Sequence, residues 1–463
     1  MLAFGLLLAF VALVPFPYGA VTPSGTFVLS ATAFVIGVFT FASIPQQRRI
    51  GLAIIPIACL CLIAIVGAFQ LMPLSMGTLQ TLAPLSAHVY SDTNTILRIF
   101  SRHEVTPKIS IAPWDTQMTA LLTLAYAVLF ASAAILANTR WRRRVIVAVF
   151  LTSVMIHIFY STVTTGADQR LHGAFVNPNH FAGYIEIALA FAFGLVFREV
   201  LHSRERASGA RDMGEGLEKR ALPLVGPIVV FGVMASGIGL TRSRGGILAA
   251  AITTIILIAL APLRRSHSHR RQITRAVLLV AVVAAIAFVA MAAGSAPILR
   301  FLSADTPEIG SDTRVALWRG SVDAWRLSPT FGAGLGAFRE AFRRTQPASI
   351  EGLVEEAHND FLQLLVTGGW IGAMLVAIAY VSMFALLLRA WRHQEHREES
   401  AFALAGIGAM LALALHGLVD FNMSIPAIPA TLAVMTGTAW AAARASGEQR
   451  TRSKPRPVPS IPS

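Results

Sequence analysis

An all-α protein that crosses a membrane many times is the fold class that this 463-residue sequence predicts. Three observations predict it. Hydrophobic residues make up 55% of the chain and charged residues only 13%, whereas soluble proteins carry about 25% charged residues. The mean hydropathy is +0.64. Mostly apolar runs of about 18 residues or more recur along the whole length, as membrane helices require, without the alternation of a membrane β-barrel.

We predict about twelve transmembrane helices, separated by polar segments that contain short clusters of arginine. Their approximate limits are 2–18, 24–43, 51–73, 116–137, 145–163, 180–197, 222–241, 246–262, 276–293, 360–388, 401–419 and 427–442. The long segment between the ninth and tenth spans is expected to be a partly helical periplasmic loop.

The distribution of Lys and Arg predicts which side of the membrane each loop faces. If both termini and every second loop are cytoplasmic, those segments contain 25 of the 38 Lys and Arg residues, as the positive-inside rule requires. We therefore expect a chain in contact with membrane lipids, with both termini cytoplasmic. These clusters also explain the net charge of +14, so binding to nucleic acid is not predicted.

The order of spans and loops divides the chain into five parts. They are the N-terminal spans and first outer loop (1–115), the central spans (116–293), a long outer loop (294–358), the C-terminal spans (359–443) and a disordered cytoplasmic tail (444–463).

Two arginines do not fit the positive-inside rule. The stretch "GIGLTRSRGGILAA" places Arg242 and Arg244 on the side opposite to the termini. Arginine at the centre of a span costs about 2.5–3.5 kcal/mol on insertion scales, and less at an interface. Either both side chains only reach the interface from a helix end, or they bind an anion there, since guanidinium binds phosphate bidentately. Gly245 and Gly246 would let lipid and backbone approach closely.

A second outer segment reads "DQRLHGAFVNPNHFAGYIEIA", residues 168–188. Its Asn-Pro-Asn-His portion predicts a turn that leads into a helix, and Asn177 or Asn179 is suited to cap that helix. Capping alone is one interpretation. In the other, Arg170 and His180 add hydrogen-bond donors to a site on the outer side.

The loop 294–358 contains "RVALWRGSVDAWRLSP", in which four apolar side chains fall on one helical stripe. They are Val315, Trp318, Val322 and Trp325. The stripe predicts a helix that lies on the outer membrane surface, and a solvated helix packed on the bundle is the alternative. The "FGAGLGAF" that follows is a glycine-rich turn without the strand and helix of a dinucleotide site.

Three ionisable residues near the C-terminal spans are further candidates. His358 is expected at the start of a membrane helix, where the helix dipole favours the neutral imidazole that can accept a proton. The acidic residues around it would act in the opposite direction. His416 and Asp420 lie four residues apart on one helix face. Ionisable residues in a membrane segment are candidates for function, and a structural pair is the alternative.

Taken in order, these motifs resemble the O-antigen ligase and Wzy-type polymerase superfamily. The resemblance rests on "GAFVNPNHFAGY", "TRSRGG", "RVALWRGSVDAWRLSPTFGAGLGAF", "AHNDFLQLLVTGGWIG" and "HGLVDFN", preceded by "SRHEVTPKISIAPWDT", and it covers roughly residues 95–430. Each motif is short, whereas their order, their spacing and their shared outer placement are specific.

The resemblance implies a metal-independent glycosyltransferase of the GT-C type in the bacterial inner membrane, which needs no cofactor. It also implies that the outer loop 294–358 is a periplasmic catalytic loop. Such enzymes take a glycan from an undecaprenyl-diphosphate carrier at the periplasmic face and transfer it to a hydroxyl of another glycan, a lipid A core sugar or a protein. The implied catalytic residues are His358, Arg314 and Asp420. The donor diphosphate would be bound by Arg242, Arg244 and Arg170. Supporting roles fall to Asn177, Asn179, His180, Gly245, Gly246 and His416.

Two other classes of function compete with this one. A transporter or flippase of lipid-linked glycans should show internal repeats and broken helices with polar groups at mid-membrane, whereas here the polar candidates gather at the outer edge. A structural membrane scaffold would leave the outer arginines and histidines unexplained.

Overall fold

A computed structural model describes residues 1–43, 51–166, 169–208, 213–261, 311–393 and 397–452. Within these ranges the chain is helical and contains no β-strand. Numbered along the described residues, the helices are α1 (Leu2–Leu13), α2 (Pro23–Ala42), α3 (Ile54–Gln70), α4 (Met76–Leu82), α5 (Pro84–Ile99), α6 (Pro113–Leu136), α7 (Arg140–Thr164), α8 (Pro178–Ser208), α9 (Met213–Thr241), α10 (Arg244–Leu260), α11 (Ser311–Arg326), α12 (Phe338–Phe342), α13 (Asp360–His393), α14 (Arg397–His416) and α15 (Ala427–Arg452).

Eight helical segments of the described chain are long and apolar enough to cross a membrane. They are Pro23–Ala42, Gly51–Gln70, Pro113–Leu136, Arg140–Thr164, Pro178–His202, Leu222–Thr241, Asp360–Arg392 and Glu398–His416. The predicted spans 2–18 and 246–262 correspond to the shorter apolar helices α1 and α10. The predicted span 427–442 falls in α15, which is not among the eight, and 276–293 lies outside the described residues. A helical, multi-span protein is confirmed, and the count of twelve stays a prediction.

Helix α8 lies at the centre of the bundle. Its segment Pro178–His202 is almost entirely buried, and it packs against α9, α10 and α14. Small residues allow this close approach. A Cβ on Gly194 would lie 3.0 Å from the Cβ of Ala405, and one on Gly408 would lie 3.1 Å from the Cβ of Ala190. An ionisable side chain on the buried part of α8 is therefore surrounded by protein.

Helix α14 carries polar groups at both of its ends. At its start, the buried Glu398 and Glu399 pair with arginines of α7: Arg144 binds Glu398, and Arg143 lies 3.5 Å from Glu399. At its end stands His416. A rise of 1.5 Å per residue separates Glu398 from His416 by about 27 Å, close to the thickness of a hydrocarbon core. The two predicted cytoplasmic segments that hold these ion pairs therefore meet at one end of the bundle.

The predicted first outer loop contains two helices, α4 and α5. These helices were not among the elements predicted from the sequence. Gln70, at the end of α3, joins this segment to the glycine-rich turn. The Gln70 side chain donates to the carbonyl of Phe331 at 2.6 Å and accepts from the N–H of Leu335 at 3.0 Å. Its backbone carbonyl accepts from the N–H of Ser110 at 2.9 Å. Through its side chain and its backbone carbonyl, Gln70 thus joins the end of α3 to the glycine-rich turn and to the segment at Ser110.

The glycine-rich turn also fills an interruption of α13. Gly369 has φ +60° and ψ −165°, a conformation that ends the regular helix and that glycine adopts without a steric penalty. The N–H of Trp370 donates to the carbonyl of Pro329 at 2.8 Å, and the N–H of Ala333 donates to that of Val366 at 2.9 Å. The backbone groups freed by the break are therefore satisfied by protein, as membrane-depth backbone requires.

Candidate functional site

The segment that carries His358 is tied to the turn that follows α14. Asn359 caps α13 with its side-chain oxygen and donates from its amide nitrogen to the carbonyl of Leu418 at 2.9 Å. The N–H of Asp360 donates to the carbonyl of Gly417 at 2.8 Å, and its carboxylate accepts from the N–H of Met423 at 3.1 Å. These bonds place His358 beside the Asp420 turn, although the two are 62 residues apart in the sequence.

Asp420 lies at the centre of three imidazoles. Its Oδ1 atom lies 3.7 Å from Nδ1 of His358 and 3.9 Å from Nε2 of His180, and its Oδ2 atom lies 3.9 Å from Nε2 of His416. The Phe421 ring packs edge-on against both His180 and His358, with centroids 4.5 and 4.8 Å apart. These three histidines, Asp420 and Glu186 are called the Asp420 cluster below.

The Asp420 carboxyl is only 2% exposed, yet it favours the charged form. Burial by itself would raise its pKa. The contact with His358 and the positive charges available on His416, His180 and His358 outweigh burial and lower the pKa of Asp420 below its usual range. Asp420 is therefore a carboxylate at neutral pH. Its Oδ1 atom faces Nδ1 of His358, so Nε2 is the ring nitrogen on the side away from this carboxylate.

The Asn-rich turn both caps α8 and joins the cluster to Arg170. The side-chain oxygen of Asn177 accepts from the N–H of Asn179 at 2.8 Å, so the capping interpretation is confirmed. The Asn179 oxygen in turn accepts a hydrogen bond from Arg170, whose Nε donates to the carbonyl of Thr241 at 2.8 Å. His180 follows directly and reaches Asp420. Arg170 thus connects the Asn-rich turn to the backbone just before Arg242.

The stretch with Arg242 and Arg244 forms a tight turn between α9 and α10. Arg242 has φ +52°, a left-handed conformation that non-glycine residues adopt rarely and that is found at functional sites. Ser243 caps α10 by accepting from the N–H of Gly246 at 3.2 Å. Arg244 is the first residue of α10. A cation is disfavoured in the first turn of a helix, where an anion is welcome, so Arg244 stands where local electrostatics favour a negatively charged ligand.

The two glycines after Arg244 bring α10 onto the Asp420 cluster. A Cβ on Gly245 would lie 3.0 Å from Cδ2 of His416. One on Gly246 would lie 2.7 Å from the Cβ of Ala182 and 3.3 Å from Oε1 of Glu186. Both glycines thus make room for neighbouring helices, and close approach of lipid stays a prediction. The start of α10, directly after the turn with Arg242 and Arg244, therefore packs against His416 and Glu186.

Glu186 is the member of the cluster that the sequence analysis missed. Its Oε1 lies 2.8 Å from Nδ1 of His416, and both side chains are fully shielded from solvent. A structural pair of His416 with Asp420 is the alternative that their spacing leaves open, and in the structure Glu186 is the nearer partner of His416. The signal was present in the sequence, because Glu186 is an acidic residue inside an apolar membrane span.

Arg314 is not placed within the Asp420 cluster by any contact of the described residues. It lies on α11, where Leu317 packs in the same apolar cluster as Ala357, beside the segment that leads to His358. Trp325 packs edge-on against Trp370 of α13, with centroids 5.1 Å apart. Helix α11 therefore packs on the bundle, the alternative to a helix lying freely on the membrane surface.

No group of three or more His, Cys, Asp or Glu residues in the described ranges has the arrangement of a metal site. The three histidines are arranged around a carboxylate instead. Metal independence stays a prediction from the sequence.

Glu356, two residues before His358, has a carboxyl that favours the neutral form. Burial raises the pKa of Glu356 to about 8, and the nearby charge of Glu355 adds to the rise. Gln363 donates to the Glu356 carboxyl and accepts from the N–H of Ala357 at 2.8 Å. The neutral carboxyl and this amide together fix the chain before His358.

Replacing Glu356 by Gln is expected to flatten the pH dependence of stability. Between the ordinary carboxyl pKa of 4.5 and about 8, the folded protein keeps this proton while the unfolded chain releases it, so stability falls as pH rises. The variant lacks this loss, so its free energy of unfolding at pH 8 should exceed that of wild type by at least about 1.4 kcal/mol. This value corresponds to one pKa unit, after allowance for solvent screening. Thermal denaturation in detergent at about pH 5 and pH 8 measures the difference. The exposed Glu351→Gln is the control, and equal slopes for wild type and Glu356→Gln would contradict the assignment.

Comparison with known proteins agrees with the motifs. Residues 229–377 match the family model of O-antigen ligase. This segment includes Arg242, Arg244, Arg314 and His358. The exopolysaccharide production protein ExoQ of Rhizobium meliloti (strain 1021) is 29% identical over 249 residues, which cover 52% of this chain and 51% of that protein. The chain thus matches about half the length of this curated relative.

Proposed function

We propose that the chain is a glycosyltransferase of polysaccharide biosynthesis in the O-antigen ligase and Wzy polymerase superfamily. The match of residues 229–377 to the O-antigen ligase model and the similarity to ExoQ support this proposal. The chain transfers a glycan from an undecaprenyl-diphosphate carrier to an acceptor hydroxyl and needs no metal. The acceptor is a growing glycan, a lipid A core sugar or a protein. The observation that carries the proposal is the arginine turn held against a histidine–carboxylate cluster.

The proposed reaction uses His358 as the general base. Asp420 orients the His358 ring, Nε2 takes the proton of the acceptor hydroxyl, and the hydroxyl oxygen forms a bond to the anomeric carbon of the donor. The bond from that carbon to the diphosphate oxygen breaks, and its electron pair leaves with the diphosphate. Arg242 and Arg244 stabilise the negative charge on the leaving group, with Arg170 in support, and Arg314 is proposed to act from α11.

The proposed location of the site is the periplasmic face of the bacterial inner membrane, with both termini in the cytoplasm. Glu398 and His416, at opposite ends of α14 and about 27 Å apart, support this placement. The arginine-rich end, with Arg143 and Glu399, fits the cytoplasmic side under the positive-inside rule. The opposite end then faces a lipid diphosphate at headgroup level.

A flippase of lipid-linked glycans remains the second candidate, because α13 is interrupted at Gly369 and broken helices are common in transporters. The interruption is filled by the segment around Pro329 and Ala333, which argues against a transport path through it. A flippase would move the intact donor without breaking a glycosidic bond.

Two measurements test the proposal. In the first, purified protein is given a synthetic undecaprenyl-diphosphate oligosaccharide and an acceptor with a free hydroxyl, and mass spectrometry detects the longer product and released undecaprenyl diphosphate.

In the second, the gene is deleted and surface glycans are analysed. Loss of all polymer on lipid A indicates a ligase, single repeat units indicate a polymerase, and unglycosylated proteins indicate a protein transferase. Movement of intact donor without product would favour the flippase, and unchanged glycans would contradict both functions.

A further inference from the structure

Glu186 and His416 form a buried carboxyl–imidazole pair that the proposed reaction does not itself require. Their atoms Oε1 and Nδ1 lie 2.8 Å apart, and neither side chain is exposed to solvent. The other ring nitrogen of His416 faces the Asp420 carboxylate at 3.9 Å. One imidazole thus stands between two carboxylates, and the second of these contacts His358.

Stability alone is a poor explanation for this pair. Desolvation of a buried ion pair often cancels its attraction, so that well-packed apolar residues would be as stable or more stable. The cost is greater in a span that is otherwise apolar. Glu186 nevertheless sits on the most buried helix, at the level where α10 crosses it, and Gly246 leaves just enough room for its carboxylate. A carboxylate kept at such a site calls for a role in the adjacent chemistry.

We propose that Glu186 is a positioning residue for the transfer reaction. Its carboxylate fixes the His416 ring with Nε2 toward Asp420, and His416 in turn fixes the carboxylate on which the His358 ring depends. This inference rests on the proposed function, and it adds a residue at a distance from the reacting atoms. Gly245 lies against the same His416 ring. The Glu186–His416 pair therefore also helps to position the turn that contains Arg242 and Arg244.

The charged and titratable groups around His416 are consistent with this direction of action. They are Glu186 and His180 from α8, Asp360 from the start of α13, and Asp420 and His358 around the turn, while α10 presents Gly245. The Asp360 carboxylate accepts from the N–H of Met423, whereas the Glu186 carboxyl lies 2.8 Å from Nδ1 of His416. Loss of the Glu186 charge would free the ring to rotate away from Asp420.

The test compares Glu186→Gln, which keeps the shape and removes the charge, with wild type in the purified transfer assay. We expect kcat to fall about 10- to 100-fold, less than the 10⁴-fold typical when a carboxylate that contacts the base directly is lost. The KM for the lipid-diphosphate donor should change less than about twofold, because donor binding is left to the arginines. Glu199→Gln, an acidic residue of the same helix about 20 Å away, is the control and should keep wild-type kcat.

A double-mutant cycle gives a readout that a merely structural role would not produce. If Glu186 acts through His416, the Glu186→Gln/His416→Gln double variant should lose no more activity than His416→Gln alone. Multiplied losses would overturn the proposal, as would full kcat in Glu186→Gln or a loss confined to donor KM. If Glu186→Gln does not fold, Glu186→Asp, which keeps the charge on a shorter side chain, is expected to show a partial loss of kcat, and wild-type kcat in it would overturn the proposal.

The same assay separates this inference from the function on which it rests. Wild-type transfer with a strong loss in His358→Ala supports the function whatever Glu186→Gln does. No transfer by wild type, or full transfer by His358→Ala, would remove the proposed reaction and this inference with it.

Discussion

His358→Ala is expected to reduce turnover about 10²–10⁴-fold, the range that general-base assistance supplies, while the lipid-diphosphate donor still binds. The reason is the position of the ring: the Asp420 carboxylate faces Nδ1 at 3.7 Å, and the proposed proton acceptor is Nε2, the other ring nitrogen. Single-turnover kinetics with pre-bound donor, together with direct measurement of donor binding, separate the two effects.

The backbone at His358 requires a second variant. His358 has φ +47°, a conformation that alanine adopts with strain and asparagine tolerates better. His358→Asn should therefore fold normally and show the same loss of turnover, whereas the exposed His103→Ala, also from a predicted outer segment, should leave turnover unchanged. Loss of donor binding with unaltered chemistry of any bound donor would make His358 a binding residue instead of the base.

Most of the Asp420 cluster could be predicted from the sequence, because its members share a visible property. His180, His358, His416 and Asp420 are polar residues at the ends of apolar runs, and the predicted order of spans puts all of those ends on one side. Their convergence on a single carboxylate could not be predicted, since it depends on hydrogen bonds between segments far apart in the chain, such as that from Asn359 to Leu418.

The parts that the sequence did not predict depend on tertiary packing. Helices α4 and α5 are too short and too polar to be detected as spans, and they are held by tertiary contacts such as the hydrogen bond from the N–H of Leu85 to the carbonyl of Leu327. The role of Gly245 and Gly246 also required the structure, because a glycine pair beside a membrane helix fits lipid contact and helix packing equally well. Arg314 lies on α11, whose inward face is formed by Leu317 and its neighbours. No contact of the described residues joins Arg314 to the Asp420 cluster, so its proposed catalytic role stays a prediction.

Arg242→Ala and Arg244→Ala are expected to abolish detectable glycan transfer, with a loss of at least about 10²–10³-fold for each, the effect of removing one fixed donor to a developing negative charge. Arg244 stands in the first turn of α10, where the helix N-terminus also favours an anionic ligand. The purified transfer assay measures the loss, and thermal stability in detergent checks that the variants fold. Arg319→Ala, on the exposed side of α11, should keep wild-type transfer.

Lysine variants at the same two positions separate charge from geometry. At Arg242, Lys and Ala meet the same left-handed backbone, φ +52°, so any difference between them reports on the side chain and not on backbone strain. Lysine keeps the positive charge but binds phosphate through a single point. If an arginine grips the diphosphate bidentately, its Lys variant should recover only part of the activity. If it only supplies charge, the Lys variant should recover most of it. Full activity in both alanine variants would refute the diphosphate role, and full activity in one of them would assign the grip to the other arginine.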